Sequence, residues 1–154
     1  MARTIGSNGE ETAARIRGCA LELIASQGFE AMSMRGLAAA VGVQSAALYH
    51  HFATKQALLA DLMMNHMRDL LAAWQKACAD NMAGQNVTAS HRLDAFARFH
   101  IRYHISRPQE VFIAYMELRS LSPVHYNAVS QLRRDYENLL KAILQDGVDD
   151  GSFQ

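Results

Sequence analysis

The sequence VGVQSAALYHHF, residues 41–52, decides the fold that we expect for this chain. Gly42 follows an apolar helical pattern over residues 34–41, and the few residues after it leave room only for a tight turn. Ser45 then begins a third short helix, after a first helix predicted from about residue 10 to Gln27. Because so short a connection makes neighbouring helices cross steeply, the pattern predicts a helix-turn-helix unit.

Start and stop signals define the first two helices. Gly28 is expected to end the first helix, and Ser33 is expected to cap the second. Apolar residues recur on one face of each helix, which predicts that these faces pack into a core. The residues are Ala13, Ile16, Ala20, Leu23 and Ile24 in the first helix, and Met34, Leu37, Ala38 and Val41 in the second.

The fourth and fifth helices are expected to be longer. Thr54 is the predicted N-cap of a helix that reaches about Ala79, and another helix is predicted over about residues 91–104. Residues 80–90 between them are mostly polar and contain a glycine, which predicts a loop. Apolar spacing supports both helices: Leu58, Leu59, Leu62, Met63, His66, Met67, Leu70, Trp74 and Cys78 in the fourth, and Leu93, Phe96, Ala97, His100 and Ile101 in the fifth.

Serine and proline residues predict where the last helices begin. Ser106, with Gln109 three residues later, has the form of a capping box, and a proline lies in the first turn. Ser122 and Pro123 repeat this arrangement before a last helix that is expected to stop at Gly147. No run of alternating β-branched residues predicts a strand, so the expected fold class is all-α.

Composition indicates one compact domain, or a small domain joined to a modest helical one. Half of the 154 residues are hydrophobic (50%), which is enough to fill a core. Cys19 and Cys78 lie in predicted helices without CxxC spacing, which favours reduced, buried thiols over a disulfide. The beginning MARTIGSNGEE is polar, and no apolar run approaches the roughly 18 residues of a membrane helix. We therefore expect a cytoplasmic protein without a membrane partner.

Charge is balanced overall but uneven along the chain. The 15 basic and 15 acidic side chains give a net charge of zero, which by itself indicates no nucleic-acid partner. Between Ala31 and Ala60, however, there is no Asp or Glu, while Arg35 and Lys55 are cationic. A polyanion could approach this segment without meeting negative charge, although a window this short also arises by chance.

The predicted third helix has the side chains that a DNA major groove requires at its leading end. Ser45, Ala46 and Ala47 are small, so the helix backbone can come close to the bases. The alanine methyl groups can contact thymine methyl groups, and Gln44 or Ser45 can hydrogen-bond a base edge or a phosphate.

Tyr49, His51 and Lys55 fit a second requirement, which is contact with phosphates. The Lys55 ammonium would lie beside the free N–H groups at the start of the fourth helix, and with the tyrosine hydroxyl and the histidine ring it would clamp a phosphate. The alternative is that the aromatic residues are core and the histidines are solvated. We expect Leu48 and Phe52 to be core, and Tyr49 not to be.

With this combination of helix signals, core residues and exposed side chains, the chain up to Leu59 resembles the TetR family of transcriptional repressors. The positions that carry the resemblance are Ile16, Ala20, Gly28, Phe29, Ser33, Leu37, Ala38, Val41, Gly42, Val43, Leu48, Tyr49, His50, His51, Phe52, Thr54, Lys55, Leu58 and Leu59. The resemblance implies a helix-turn-helix DNA-binding domain at residues 1–53 and a helical effector-binding and dimerisation domain at 54–154. The DNA contacts that it implies are Ser33, Arg35, Gln44, Ser45, Ala46, Ala47, Tyr49, His50, His51 and Lys55.

Two positions depart from the family's pattern. Many relatives have Gly or Pro at the position of Ala46, and Thr or Ser is frequent at the position of Ala47. Since Ala46 and Ala47 present methyl groups and no polar group, we expect few direct base hydrogen bonds here. Contacts to A·T pairs and DNA shape would then carry more of the specificity.

The remainder resembles the family's ligand-binding part, which implies a repressor released from a palindromic operator by a small effector, without a cofactor. The stretches YMELRSLSP and LRRDYENLLKAIL are similar to a subgroup that regulates fatty-acid and steroid catabolism, some of whose members respond to CoA thioesters. Many of the candidate pocket residues could equally be ordinary core. These candidates are Met63, Met67, Trp74, Phe96, His100, Tyr103, His104, Phe112, Tyr115, Met116, Arg119, Tyr126, Arg133 and Tyr136, with Arg119 and Tyr136 as polar anchors.

The resemblance also bears on assembly. Members of the family usually continue past a turn like GVDDGSF into two further helices that pair with those of a second subunit. This chain ends at Gln154. Either the chain is shortened at its C-terminus, or a tail follows these residues. In both cases the resemblance implies a homodimer, and an effector domain over residues 54–154 that is C-terminally incomplete and lacks its main dimer surface.

Other classes of function have less support. His100 and His104 lie on one helical face and could bind a metal with His66 or Glu117, but no cysteine or carboxylate stands at a supporting spacing. No HExxH, GxSxG or P-loop motif occurs, so we expect no enzyme. A helical protein-interaction module that uses the Met-rich fourth helix as a groove is the main alternative.

Overall fold

The structure, a computed structural model, describes residues 7–82 and 87–154 of the chain. In these residues every regular element is helical and no strand occurs, which confirms the predicted all-α class. The helices are α1 (Ser7–Gln27), α2 (Met34–Val41), α3 (Ser45–His51), α4 (Lys55–Met82), α5 (Ala89–Ile105), α6 (Pro108–Met116) and α7 (Pro123–Asp149), with a 3-10 turn at Leu118–Ser120. None of the helices in the described ranges is long and apolar enough to span a bilayer.

The chain divides into two compact units. The first takes the described part of Met1–Met63 together with Gln109–Tyr126, and the second takes the described part of Met64–Pro108 and Asn127–Gln154. Helices α4 and α7 therefore contribute residues to both units. The division into a DNA-binding part up to residue 53 and an effector part from residue 54 is a functional one, and it stays a prediction.

Local capping explains where α2 begins and ends and where α4 begins. The Ser33 hydroxyl oxygen accepts a hydrogen bond from the Gly36 amide at 3.0 Å, which satisfies one free N–H group of α2. Gly42 ends α2 with a φ of 76°, a left-handed conformation that favours glycine. The Thr54 hydroxyl oxygen accepts from the Ala57 amide at 2.9 Å and so caps α4 as predicted.

The core of the first unit lies among α1, α2, α3, α6 and the beginning of α4. Leu37 and Leu48 are completely buried (0% exposed), and burial of each such leucine stabilises the fold by about 1.5–3 kcal/mol. Leu48 is the buried residue of α3, which leaves the other faces of this short helix outside the core. The other buried residues are Ile16, Ala20, Ile24, Phe29, Met32, Met34, Ala38, Val41, Phe52, Leu58, Leu59, Ala60, Leu62, Met63, Ile113, Ala114 and Leu121.

One long-range hydrogen bond fixes the turn between α2 and α3. The guanidinium of Arg15 donates to the Val41 carbonyl at 2.7 Å. This carbonyl belongs to the last turn of α2, where helix carbonyls have no intrahelical partner. The bond therefore holds the end of α2 to α1 and helps to set the direction in which α3 departs.

The second unit has an aromatic core. The rings of Trp74 and Phe96 meet edge to face, with centroids 5.0 Å apart and planes at 76°, the geometry that aromatic pairs prefer. This cluster joins α4, α5 and α7 and consists of Met67, Leu70, Trp74, Phe96, Tyr103, Tyr136 and Ile143. Among the candidate ligand residues, those in this cluster are thus also core residues, as the alternative interpretation held.

Two expectations about helix ends are wrong. Ser106 does not form a capping box for α6, because its hydroxyl donates back to the Tyr103 carbonyl of α5 at 2.9 Å. Gly147 does not stop the last helix, since α7 continues to Asp149. The chain reverses instead at Gly151, which has a φ of 78°.

Smaller differences concern the ends of α1, α4 and α5. Helix α1 begins at Ser7, before the predicted start. Of the loop predicted at residues 80–90, residues 80–82 belong to α4 and residues 83–86 lie outside the described part. Thr88 caps α5 by accepting from the His91 amide at 3.3 Å, which places the helix start at Ala89.

Candidate functional site

The leading end of α3 is an exposed surface of small and polar side chains. Gln44, Ser45, Ala46 and Ala47 are all exposed. Gln44 occupies the N-cap position with an extended backbone (φ −70°, ψ 146°), and its side chain makes no capping hydrogen bond. The side-chain amide of this glutamine is therefore not committed to capping the start of the helix.

The two aromatic residues of α3 and its C-cap have opposite environments, as predicted. Phe52 is buried, whereas the Tyr49 side chain is 48% exposed. His50 is exposed and His51 is half-buried, with their ring centroids 5.8 Å apart. Tyr49 consequently lies at the surface of the protein and does not fill the core.

Lys55 has partners that the sequence did not indicate. Its ammonium donates to the Glu30 carbonyl at 3.1 Å and lies 4.3 Å from the centroid of the Phe29 ring. A lysine ammonium has three donors and one is used here, so this arrangement leaves capacity for a phosphate while fixing the direction of the side chain.

The beginning of α2 adds two more of the predicted contacts. Ser33 and Arg35 are both exposed. The serine oxygen accepts the capping bond from Gly36, and its hydroxyl hydrogen can still be donated outward. The predicted DNA contacts on α2 and α3 and at their N-caps thus lie in the same compact unit, on exposed positions except for the half-buried His51.

A cluster of histidines and tyrosines lies within the second unit. His100 Nδ1 is 3.2 Å from the Tyr136 hydroxyl, and the His104 ring centroid is 4.1 Å from that of His100. The Nδ1 of His104 donates to the His100 carbonyl at 2.8 Å. The pKa of His100 lies below its ordinary value of 6.5, mainly because the ring is partly buried and to a smaller extent because His104 is near.

His66 extends this cluster from α4. It is buried (6% exposed), and its ring lies 5.9 Å from that of His104 and 6.0 Å from that of Tyr103. His66 was expected only as part of the predicted apolar stripe or of a metal site. In the described ranges no group of three or more His, Cys, Asp or Glu side chains is arranged to hold a metal ion.

A groove on the second unit lies beside this cluster. It has a volume of about 450 Å³ and is lined by aromatic rings together with two arginines. Arg98 is paired with Asp94 at 2.7 Å, an exposed pair that lowers the pKa of the aspartate. The lining residues are Trp74, Ala77, Ala95, Arg98, Phe99, Arg102 and Tyr103.

Of the remaining candidate ligand residues, Arg133 is half-buried in the second unit, and the others belong to the first. Phe112, Tyr115 and Met116 on α6 are exposed, by 40%, 59% and 53%. Arg119, in the 3-10 turn, and Tyr126 are also exposed, whereas Met63 is buried. The predicted set therefore divides between the two units, with His100, Tyr103, His104 and Tyr136 brought together in the second.

Both cysteines are free and half-buried, as expected for reduced thiols. Burial raises the pKa of the Cys19 and Cys78 thiols, and the nearby Glu22 raises that of Cys19 further. Raised pKa values make these thiols poor nucleophiles, so neither is part of the candidate site.

Comparison with known proteins places this geometry in a family. Residues 16–62 match the bacterial regulatory proteins of the tetR family, and residues 86–154 match a tetracyclin repressor-like C-terminal domain. The TetR family regulator PfmR from Thermus thermophilus is 33% identical, with a TM-score of 0.78 over 91% of this chain and 74% of its own. The chain belongs to the TetR family of bacterial regulatory proteins.

Two other proteins are similar to this TetR family member. The HTH-type transcriptional repressor KstR2 of Rhodococcus jostii (strain RHA1) is 25% identical over 98% of this chain and 71% of its own length. AibR, solved in complex with isovaleryl coenzyme A and operator DNA, is 24% identical with a TM-score of 0.74, covering 91% of this chain and 74% of its own. TetR family members are DNA-binding regulators, which confirms the expectation that the chain is not an enzyme.

Proposed function

We propose that this TetR family regulator is a cytoplasmic repressor that binds a palindromic operator through α3 and releases it when a small effector binds. The observation that carries the proposal is the environment of α3. Leu48 anchors the helix in the core at 0% exposure, while its leading end and Tyr49 remain exposed. A helix held by one face and bare on the others is suited to enter a major groove.

The contacts divide by chemistry. Gln44, Ser45, Ala46 and Ala47 lie at the leading end of α3 and would face base edges, where an amide pairs with adenine and methyl groups contact thymine. The remaining contacts would fix the register through phosphates: Ser33, Arg35, Tyr49, His50, His51 and Lys55. A dimer would set two α3 helices about 34–36 Å apart, in successive major grooves.

The effector would bind in the helical second part, with a hydrophobic compound or a CoA thioester as the proposed class. The aromatic core with a His100 and Tyr136 hydrogen-bonding pair supports this, because ligand sites combine apolar walls with a few polar anchors. The isovaleryl coenzyme A bound by AibR gives the thioester class further support. Since α4 runs without a break from Lys55 to Met82, an effector that tilts this helix would also move the DNA contacts at its start.

Selection of bound sequences from a random duplex pool tests the proposal. A repressor should enrich one palindromic sequence, and its affinity should fall steeply with salt because phosphate contacts release counterions. Binding that is indifferent to sequence and salt would favour the protein-interaction module instead. A thermal-shift series with isovaleryl coenzyme A and longer acyl-CoA thioesters tests the effector class, and the absence of stabilisation by every thioester would reject it.

A further inference from the structure

A carboxylate from the turn between α6 and α7 holds the loop between α1 and α2. Glu117 Oε1 accepts a hydrogen bond from the Phe29 amide at 3.0 Å, and Glu117 Oε2 accepts one from the Ser120 hydroxyl at 2.7 Å. All three residues belong to the first compact unit. One side chain therefore fixes both the loop and the 3-10 turn.

Gln56 binds the same turn from the side of α4. Its Nε2 donates to the Ser120 carbonyl at 2.6 Å, and its Oε1 accepts from the Ser122 amide at 2.9 Å. Both hydrogen bonds are partly buried, and both polar atoms of the side-chain amide are used. The turn is thus bonded to the residue that directly follows Lys55.

These bonds and the contacts of Lys55 form one continuous network that begins and ends at the Lys55–Gln56 segment. The Lys55 ammonium lies against the Phe29 ring and the Glu30 carbonyl, and Phe29 is the residue whose amide Glu117 binds. The position of this ammonium consequently depends on a loop that is held from residue 117, far along the chain. A side chain with several rotatable bonds is fixed here by one backbone carbonyl and one aromatic ring of the same loop.

We propose that Glu117 and Gln56 are positioning residues for DNA binding. They hold the Phe29 and Glu30 segment in place, so that Lys55 presents its ammonium in one direction, and a displacement of the α6–α7 turn is passed to Lys55 through them. The proposal rests on the phosphate contact proposed for Lys55. It adds that the strength of this contact depends on a carboxylate that does not itself touch DNA.

A positioning role and a purely electrostatic role for Glu117 predict opposite effects of its removal on DNA affinity. Removal of a carboxylate near a surface that binds a polyanion should strengthen DNA binding if only charge matters. If Glu117 positions Lys55 through Phe29, its removal should weaken binding although the protein becomes more positive. The sign of the change therefore separates the two explanations.

The test compares Glu117→Ala with two matched variants in the full chain. Glu117→Gln keeps an oxygen for the Phe29 amide and a polar group beside the Ser120 hydroxyl. Glu30→Gln removes an exposed carboxylate from the same loop but leaves the Glu30 carbonyl that Lys55 uses. Hydrogen exchange at the Phe29 amide and the Kd for a duplex chosen from the random pool are measured for each variant.

We expect Glu117→Ala to raise the exchange rate of the Phe29 amide about tenfold or more, and to weaken duplex binding about three- to tenfold. Glu117→Gln should retain most of both properties, and Glu30→Gln should bind the duplex as tightly as the parent or more tightly. Faster exchange with unchanged or tighter duplex binding in Glu117→Ala would overturn the proposal, because the loop would then be free without any effect on Lys55.

A second variant, at Gln56, tests the positioning role independently, so that the conclusion does not depend on correct folding of Glu117→Ala alone. Gln56→Ala removes the two bonds to Ser120 and Ser122, and Gln75→Ala is its control at an exposed position of the same helix. Helical content and the thermal midpoint are recorded throughout. Gln56→Ala should weaken binding while Gln75→Ala does not, and equal Kd values for the two would overturn the role of Gln56.

Lys55→Ala separates this proposal from the one on which it rests. If Lys55→Ala binds duplexes as the parent does, the phosphate contact itself is rejected. If Lys55→Ala weakens binding while Glu117→Ala and Gln56→Ala do not, the phosphate contact stands and the positioning role alone is rejected.

Discussion

Arg17 of α1 and Asp61 of α4 form an ion pair in which Arg17 Nε lies 2.6 Å from one carboxylate oxygen and a terminal nitrogen 3.5 Å from the other. The Arg17 guanidinium also lies 5.6 Å from the centroid of the Phe52 ring. One arginine thus contacts the residue that ends α3 and the helix that follows it. This makes the pair a direct link between α1 and the segment that carries the proposed DNA contacts.

We expect Asp61→Asn to lower the free energy of unfolding by about 0.5–1 kcal/mol at low salt, because both side chains are partly exposed and solvent screens the pair. Urea unfolding of Asp61→Asn, Arg17→Gln and the double variant gives the coupling energy. The loss should shrink at 1 M salt, where the screening length is about 3 Å. A coupling energy of zero at low salt would show that the contact contributes nothing.

We expect position 147 to require glycine, because the Phe153 ring lies where a side chain at this position would be. The Phe153 amide donates to the Gly147 carbonyl at 2.8 Å, and a Cβ added to Gly147 would overlap the phenylalanine ring. Gly147→Ala displaces the ring and should cost about 1–2 kcal/mol of lost packing, which exceeds the gain of about 0.5–1 kcal/mol in helix propensity.

Two controls test this explanation for Gly147. In a Phe153→Ala background the same substitution should become stabilising, because the overlap is gone and only the helix propensity remains. Gly18→Ala in α1, where an added Cβ meets nothing within 4 Å, should also be stabilising in urea unfolding. Stabilisation by Gly147→Ala in the parent chain would mean that the ring does not pack there.

The sequence predicted the elements whose signals are local. Ser33, Gly42 and Thr54 act through neighbouring backbone groups, and the starts of α2, α3 and α4 follow the prediction. Ser106 shows the limit of such signals, because the same hydroxyl could cap the next helix or bond back to the preceding one. Spacing along the chain does not distinguish these two outcomes.

For the candidate site, the sequence predicted only which side chains are buried and which are exposed, because this follows from the helical spacing of apolar residues. Leu48 buried and Tyr49 exposed could be inferred from the helical pattern. The partners of Lys55 could not be inferred, because its ammonium contacts Phe29 and Glu30, which are more than a helix away along the chain. Glu117 binds that loop from a still more distant part of the chain. Contacts across such separations leave no pattern in a single sequence.

His100 should make stability depend on pH in the acid range. Its pKa is lowered by burial and by His104, so the unfolded chain binds a proton more readily than the folded one. Above the ordinary value of 6.5 both states are neutral, and stability should fall as the pH drops from 6.5 towards the lowered pKa. Urea midpoints at pH 5 to 8 measure this slope.

His100→Gln should reduce the slope, and His91→Gln, at an exposed position of the same helix, should not. Replacement of His100 also removes the contact with the Tyr136 hydroxyl, so stability at pH 8 is compared first and only the pH dependence is interpreted. Equal slopes for His100→Gln and the parent would show that this histidine does not titrate differently on folding.

Gln44 and Tyr49 should affect DNA binding in different ways. Gln44 lies at the exposed leading end of α3 with no capping bond, so Gln44→Ala should change which base is selected at one operator position, by about 1–3 kcal/mol. Tyr49 is 48% exposed, and Tyr49→Phe removes only its hydroxyl, so the loss of a phosphate hydrogen bond should weaken binding to every sequence by about 0.5–1.5 kcal/mol. Selection from a random duplex pool, followed by titration of the enriched and of unrelated duplexes, measures both effects. Identical selected sites for Gln44→Ala and the parent would place base recognition elsewhere on α3, and unchanged affinity of Tyr49→Phe would remove its hydroxyl from the phosphate contacts.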